Sequence, residues 1–253
     1  MNVIILGSGS VIPTLKRAQS SILLKKGKDL FLFDAGSGTL GQLLKAGADY
    51  RKINYMFFTH THPDHINDLV AYLIAHKTKS DPRKKALYLF GPHNLKDFIN
   101  KLKELYPVLE ELPFKLKIKE LRKSKFNLKG MKIKTLPMKH TENSIGYRIE
   151  SKGKRVVYTG DTGFSANVLK LAMYADLLIT ECSYPNSMRK RQRSMNTHLI
   201  PELCAEIATI ARVKKLLLLH FYPEADKANI KKQTKKGFKG KVIIAKDLME
   251  VKV

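Results

Sequence analysis

Apolar positions along the chain fall into short blocks of two spacings. Val3–Leu6 is a continuous apolar run stopping at Gly7-Ser8-Gly9-Ser10. Ser20–Lys25 and Leu30–Asp34 flank a Lys26-Gly27-Lys28 turn, and all three blocks predict strands. Gly41–Ala46 has helical character, and Ile53–Thr59 is β-rich and ends at a histidine. From Pro63 onward Ile66, Leu69, Val70, Leu73 and Ile74 recur at helical spacing, predicting one helix. Lys85–Phe90 predicts a strand and Asn94–Leu105 a helix. Lys115–Leu136 alternates well enough for two or three strands, and Ser144–Ile149 and Arg155–Tyr158 form the next pair around Ser151-Lys152-Gly153. A helix near 166–173, the strand Leu177–Thr180, a polar loop at 185–197, the helix Pro201–Ala211 and the strand Leu216–Leu219 follow. Val242–Ala245 and Met249–Val253 close the chain.

A strand-rich first part and a strand–helix alternation in the second predict two sheets covered by helices on their outer faces. No linker, low-complexity segment or short repeat divides the sequence, so residues 1–253 are expected to form one domain.

Charge changes this reading more than hydropathy does. The chain carries 47 basic and 22 acidic side chains, a formal charge of +25. Such a surplus favours an anionic partner without choosing among nucleic acid, a phosphorylated small molecule and an acidic surface. Cys182 and Cys204 are the only cysteines and form no C-x-x-C pair, which argues against a disulfide scaffold and suits a reducing cytosol. No stretch approaches the ~20 apolar residues of a spanning helix, and MNVIILGSGS lacks the features of a leader peptide. The expectation is a soluble, cytoplasmic protein with no membrane partner.

The chemistry concentrates in Thr59-His60-Thr61-His62-Pro63-Asp64-His65, at a strand–helix junction. His60 and His62 can converge from one short loop, with Asp64 and His65 on the first helical turn. Imidazole and carboxylate are donors for zinc and also suit manganese or iron. Outside this run His140 and His220 follow strand-like segments, as does Asp161 in Tyr158-Thr159-Gly160-Asp161-Thr162. His198 lies in Thr197-His198-Leu199-Ile200-Pro201-Glu202, and Glu181 ends the Leu177–Thr180 strand. His76 reads as an exposed residue near a helix end. His93 could line a cleft, and Asn143 and Ser144 could touch a phosphate or the metal surroundings. Gly7-Ser8-Gly9-Ser10 lacks the strand–helix unit and acidic partner of a dinucleotide site.

The H-x-H-x-D-H run resembles the signature of the metallo-β-lactamase superfamily, and the resemblance extends over essentially the whole chain. It implies an α/β, four-layer αββα fold, with two mixed β-sheets packed face to face and helices outside. It also implies two divalent metal ions per chain. His60, His62 and His140 would hold one, Asp64, His65 and His220 the other, and Asp161 would bridge them. Asp34, in Phe33-Asp34-Ala35-Gly36-Ser37-Gly38, resembles the superfamily's bracing aspartate. Two ions about 3.5–4 Å apart can activate a water and stabilise both attacking and leaving oxygens, and Asp64 could accept the water's proton. His198 resembles the metal-free histidine of the ribonuclease Z-like phosphodiesterase branch. There it would contact the scissile phosphate and protonate the departing oxygen, with Glu181 holding the imidazole.

These likenesses imply a metal-dependent hydrolase, a phosphodiesterase or ribonuclease cleaving RNA or nucleotide phosphodiesters. The alternatives are a small cyclic phosphodiester as substrate, and lactone or thioester hydrolysis. One departure matters. Ribonuclease Z carries a long arm between its third and fourth metal motifs, whereas His140 and Asp161 are here 21 residues apart, which leaves no room for one. Basic residues could compensate: Arg189, Lys190, Arg191 and Arg193 precede His198, with further runs at Lys231–Lys241 and across Lys115–Lys134. Sparse aromatics within these runs point to electrostatic contact with an anionic phosphodiester, RNA among the candidates. A homodimer is left open.

Overall fold

The computed structural model describes residues 1–77, 82–190 and 196–253. It contains two seven-stranded sheets. The first comprises β1 (Asn2–Gly7), β2 (Ser21–Lys26), β3 (Asp29–Phe33), β4 (Tyr55–Phe57), β5 (Leu87–Pro92), β6 (Leu116–Leu121) and β14 (Glu250–Lys252), ordered β14-β1-β2-β3-β4-β5-β6. The second comprises β7 (Ser124–Leu128), β8 (Met131–Pro137), β9 (Ile145–Ser151), β10 (Lys154–Tyr158), β11 (Leu177–Glu181), β12 (Lys215–Leu219) and β13 (Lys241–Ile244), ordered β13-β12-β11-β10-β9-β8-β7. In each sheet an antiparallel half runs into a parallel half. The parallel pairs are β3-β4-β5-β6 in one and β10-β11-β12-β13 in the other.

Alternation along the strands explains the packing. Val3, Ile5, Phe31, Phe33 and Phe57 meet Tyr147, Ile149, Val156, Tyr158 and Ile179 of the opposite sheet in a shared inner core. Phe33, Phe57 and Phe90 stand in register on neighbouring strands, with ring centroids 4.6 and 4.8 Å apart, and Phe126 continues the stack from the other sheet. The other faces bury Leu6, Leu32 and Leu89 under the helices Thr39–Lys45, Asp68–Ala75 and Leu95–Leu105. On the second sheet Val157, Leu178 and Leu218 lie under Ala166–Ala172 and Pro201–Ile210. Covering both faces is why Val3–Leu6 and Leu216–Leu219 are continuously apolar rather than alternating. The result is the four-layer αββα arrangement that the sequence implied.

Local differences have simple causes. The segment after Pro63 is two short helices, Pro63–Ile66 and Asp68–Ala75, meeting at Asn67. Asp68 leaves the first run to cap the Gly38 and Leu40 N–H groups. The basic stretch beyond Asn229 forms an unforeseen helix, Ile230–Gly237, capped by the Asn229 side chain and anchored by Ile230. Its apolar face is too narrow to announce itself among lysines. His76, expected at the surface, is buried instead, with Nδ1 donating to the Tyr72 carbonyl and its ring against Tyr50 and Tyr72. Cys182 and Cys204 are free and buried. No helix among the described residues is long and apolar enough to cross a membrane.

Candidate metal centre

Five site residues sit at or just beyond the carboxyl ends of parallel strands. Asp34 follows β3, His60 follows β4, Asp161 follows β10, Glu181 ends β11 and His220 follows β12. His140 lies beyond β8, and His198 precedes the helix Pro201–Ile210. Because the two sheets face one another, these ends meet in one cluster. Two glycines permit the approach. A Cβ at Gly36 would lie 2.1 Å from the Asp64 carbonyl oxygen, and one at Gly160 (φ +59°) would strike the Thr59 side chain. Asp34 and His220 adopt left-handed φ values of 55° and 60°, a conformation non-glycine residues keep only where surrounding structure enforces it.

The donor atoms gather in overlapping groups, each within 4.8 Å: His60, His62 and His140; Asp64, His65 and His220; and His60, His65 and Asp161. Hydrogen bonds on the outer side set which nitrogen faces inward. Asp34 accepts from the Thr59 N–H at 2.7 Å, the Thr59 hydroxyl at 2.9 Å, the Tyr158 hydroxyl at 2.7 Å and His65 Nδ1 at 2.8 Å. With its proton given to Asp34, the Thr59 hydroxyl accepts from His60 Nδ1 at 3.0 Å. His140 Nδ1 donates to the Thr197 carbonyl at 3.2 Å. The Ser183 hydroxyl donates to Glu181 at 2.5 Å and accepts from His220 Nδ1 at 3.0 Å. In their neutral forms His60, His65, His140 and His220 therefore turn a lone pair inward, the arrangement metal-binding imidazoles need.

Those inward atoms lack protein partners that would satisfy them. His60 Nε2, His65 Nε2 and Asp161 Oδ1 are buried without a hydrogen bond of acceptable geometry. His62 Nδ1 and His140 Nε2 face each other at 3.1 Å. Buried polar groups left this way are costly, and a cation between them removes the cost. Burial drives the His60 pKa well below its ordinary value, with His65 adding to the effect. Burial also opposes charge on His65, but Asp161 and Asp34 overcome it and raise its pKa well above the usual range. For Asp161, burial favours the neutral acid, yet His220 and His65 hold its pKa well below that of an ordinary carboxyl. This donor set fits divalent metal.

Beside the cluster, His198 Nδ1 lies 3.0 Å from both Glu181 oxygens. The carboxylate also accepts from Thr162 N–H at 2.6 Å and Leu199 N–H at 3.1 Å, so it is fully engaged and immobile. Burial disfavours a charged His198, but Glu181 outweighs it and lifts the pKa to about 9. Its Nδ1 is committed to Glu181, which leaves Nε2 to act. Ser183 and Thr59 were not anticipated; each is a plain hydroxyl that ties a near neighbour in sequence to a remote residue, Thr59 joining His60 to Asp34 and Ser183 joining Glu181 to His220. Tyr184 and Tyr222, stacked at 4.6 Å beside His198, were equally unforeseen.

Arg189 gives both 2.6 Å bonds to the Glu202 carboxylate, so its charge is partly spent within the chain, while Lys190 is exposed. Arg191 and Arg193 lie outside the described residues. His93 is exposed, and Ser144 is occupied by Thr141.

Comparison with known proteins identifies the scaffold. A family model described as anti-Pycsar protein Apyc1 matches residues 1–242. The chain belongs to this family. Ribonuclease Z of Pyrococcus abyssi is 31% identical, with 88% of this chain and 87% of that protein aligned. Among solved structures, the metallo-β-lactamase-fold protein YhfI of Bacillus subtilis superposes with a TM-score of 0.84 at 25% identity, over 99% of this chain and 98% of its own. The short form of human tRNase Z, ELAC1, gives a TM-score of 0.82 at 26% identity over 100% and 99%. This Apyc1-family chain is thus a ribonuclease Z-like metallo-β-lactamase-fold protein, a metal-dependent hydrolase of the phosphodiesterase and ribonuclease class.

Proposed function

We propose that the centre holds two divalent ions and hydrolyses a phosphodiester of RNA or of a nucleotide. His60, His62 and His140 would hold one ion, Asp64, His65 and His220 the second, with Asp161 shared between them. The donors are those of zinc, with manganese or iron as substitutes. When bound, such ions polarise a phosphoryl oxygen and make water nucleophilic near neutral pH. Asp64 would accept the water's proton. His198 donates a proton from Nε2 to the departing oxygen, and Glu181 holds the ring and balances its charge.

The observation carrying this reading is the buried Glu181–His198 pair beside the histidine cluster. Lactone or thioester hydrolysis would leave that pair without a task. A second reading, a small cyclic phosphodiester as substrate, has its own support. β9 and β10 are joined by a two-residue Lys152-Gly153 turn, so nothing projects there to grip a large RNA. The test is metal analysis of purified protein joined to a substrate panel of tRNA precursors with 3′ trailers, cyclic mononucleotides, bis(p-nitrophenyl) phosphate and nitrophenyl esters. Close to two ions per chain and activity confined to phosphodiesters are expected. His60→Ala and Asp161→Ala should lower occupancy and abolish turnover. Full occupancy in both variants, or preference for esters, would overturn the proposal.

A further inference from the structure

Tyr184 and Tyr222 are held beside His198 by the backbone rather than by the apolar core. Each precedes a proline, Pro185 or Pro223, and a following proline keeps a residue extended. Tyr222 has φ −75° and ψ 160° accordingly. Its N–H donates to the Ser183 carbonyl at 3.2 Å, which ties the two Tyr-Pro segments together. Beyond Pro185, Asn186 gives its N–H to the Gln233 side chain and accepts from the Glu202 N–H. Tyr50, Tyr55 and Tyr88, also half-buried, each pack against one of the apolar cores, whereas among the described residues neither Tyr184 nor Tyr222 does. Instead their rings stack on one another, 4.6 Å apart at 27°. Both stand 6.3 Å from the His198 ring and nearly edge-on to it, at 84° and 72°, and Tyr222 is 5.8 Å from His220. An aromatic pair fixed in place, half-open and outside the core presents its apolar faces to whatever enters beside His198.

We propose that Tyr184 and Tyr222 form a leaving-group subsite, against which the base of the departing nucleoside lies while His198 protonates its oxygen. The inference rests on the phosphodiesterase reading above. An oxygen taking a proton from His198 stands about 3 Å from the donating nitrogen, so a sugar and base carried on that oxygen come within reach of the two rings. A planar base with polar edges matches a stacked pair of phenols. An aliphatic alcohol or a bare sugar has no flat face to offer. The pair therefore selects a nucleoside on the leaving side, and it acts on binding rather than on proton transfer.

The test is steady-state kinetics of the metal-loaded enzyme on the dinucleoside monophosphate ApA and on 3′,5′-cyclic AMP, each beside a counterpart lacking a base. For ApA the abasic sugar is placed on the leaving or on the retained side, which chromatography of the products identifies. Base–aromatic stacking contributes roughly 5–150-fold in affinity. Tyr184→Ala and Tyr222→Ala should therefore raise KM by about that factor where the leaving side carries a base, with kcat changed less. On counterparts without that base the same variants should lose much less, and Tyr184→Phe and Tyr222→Phe, which keep the rings, should restore wild-type KM. Metal content of the same samples should match wild type. Equal losses with and without the leaving base would overturn the subsite and make the rings structural. A loss that follows the retained base would overturn it too. Hydrolysis of bis(p-nitrophenyl) phosphate with neither adenosine diester turned over would also overturn it, leaving the phosphodiesterase reading intact. No turnover of any diester by the metal-loaded protein would instead sink the phosphodiesterase reading on which the subsite rests.

Discussion

Glu181→Gln asks what it is worth to hold His198. One carboxylate oxygen takes the Thr162 N–H at 2.6 Å. The other takes the Leu199 N–H at 3.1 Å and the Ser183 hydroxyl at 2.5 Å, and His198 Nδ1 is 3.0 Å from both. Glutamine offers one acceptor oxygen and one amino group. Turned either way, its N–H₂ meets a buried donor, Thr162 N–H in one orientation and Leu199 N–H in the other. An unsatisfied buried donor costs about 1–3 kcal/mol, which lowers Tm by roughly 2–4 °C per kcal/mol in a chain of this size. The chemical loss is separate. General acid–base groups contribute ~10²–10⁴-fold, about 3–5 kcal/mol of barrier, and His198→Ala should forfeit that much on RNA, whose alkoxide leaves poorly. Glu181→Gln should forfeit part of it, because the ring stays but its counter-charge goes. Both losses should shrink on a nitrophenyl diester, whose leaving group departs without a proton. Single-turnover rates on the two substrates, with metal content measured on the same samples, decide the matter. Equal small losses on both substrates would remove the proton-donor role. Loss of metal in His198→Ala would put His198 among the ligands.

Asp34→Asn tests the bracing of the cluster from outside: with four hydrogen bonds disturbed and no inward donor removed, metal affinity should fall roughly 10–100-fold, read by competition with a chromogenic chelator, and undiminished affinity would refute the brace. His76 supplies a pH test away from the metal centre. Burial holds its folded pKa below the ordinary 6.5, so the unfolded chain takes up a proton first as pH falls. Wild-type stability should therefore drop through the window below about pH 6.5, and His76→Gln should lose less between pH 7.0 and 5.5 in urea titrations. Parallel losses would show that His76 does not titrate there.

The candidate metal-binding run was legible because His60, His62, Asp64 and His65 fall within six residues, a distance over which a strand end and a helical turn already determine position. The strands were legible for a similar reason: the period of apolar residues reports which faces are buried, and both-face burial left Val3–Leu6 and Leu216–Leu219 without alternation. Which strand ends meet is another matter. His140 and His220, which follow β8 and β12 of the second sheet, meet the His60–His65 run of the first only because the two sheets present their strand ends to the same side. Ser183 joins Glu181 to His220 only because β11 and β12 are parallel neighbours. Local pattern does not show which charged or polar side chains meet where the partner is remote, and it misjudged the exposure of His76. Arg189 meets Glu202 after the chain doubles back, His76 is covered by Tyr50, and Lys134 faces Lys125 and Arg148 only through strand register. Hydrophobic periodicity is set by nearest neighbours along the chain. Electrostatic energy and hydrogen-bond satisfaction depend on distances through space, and here sheet order, strand register and the packing of helices and loops decide those distances.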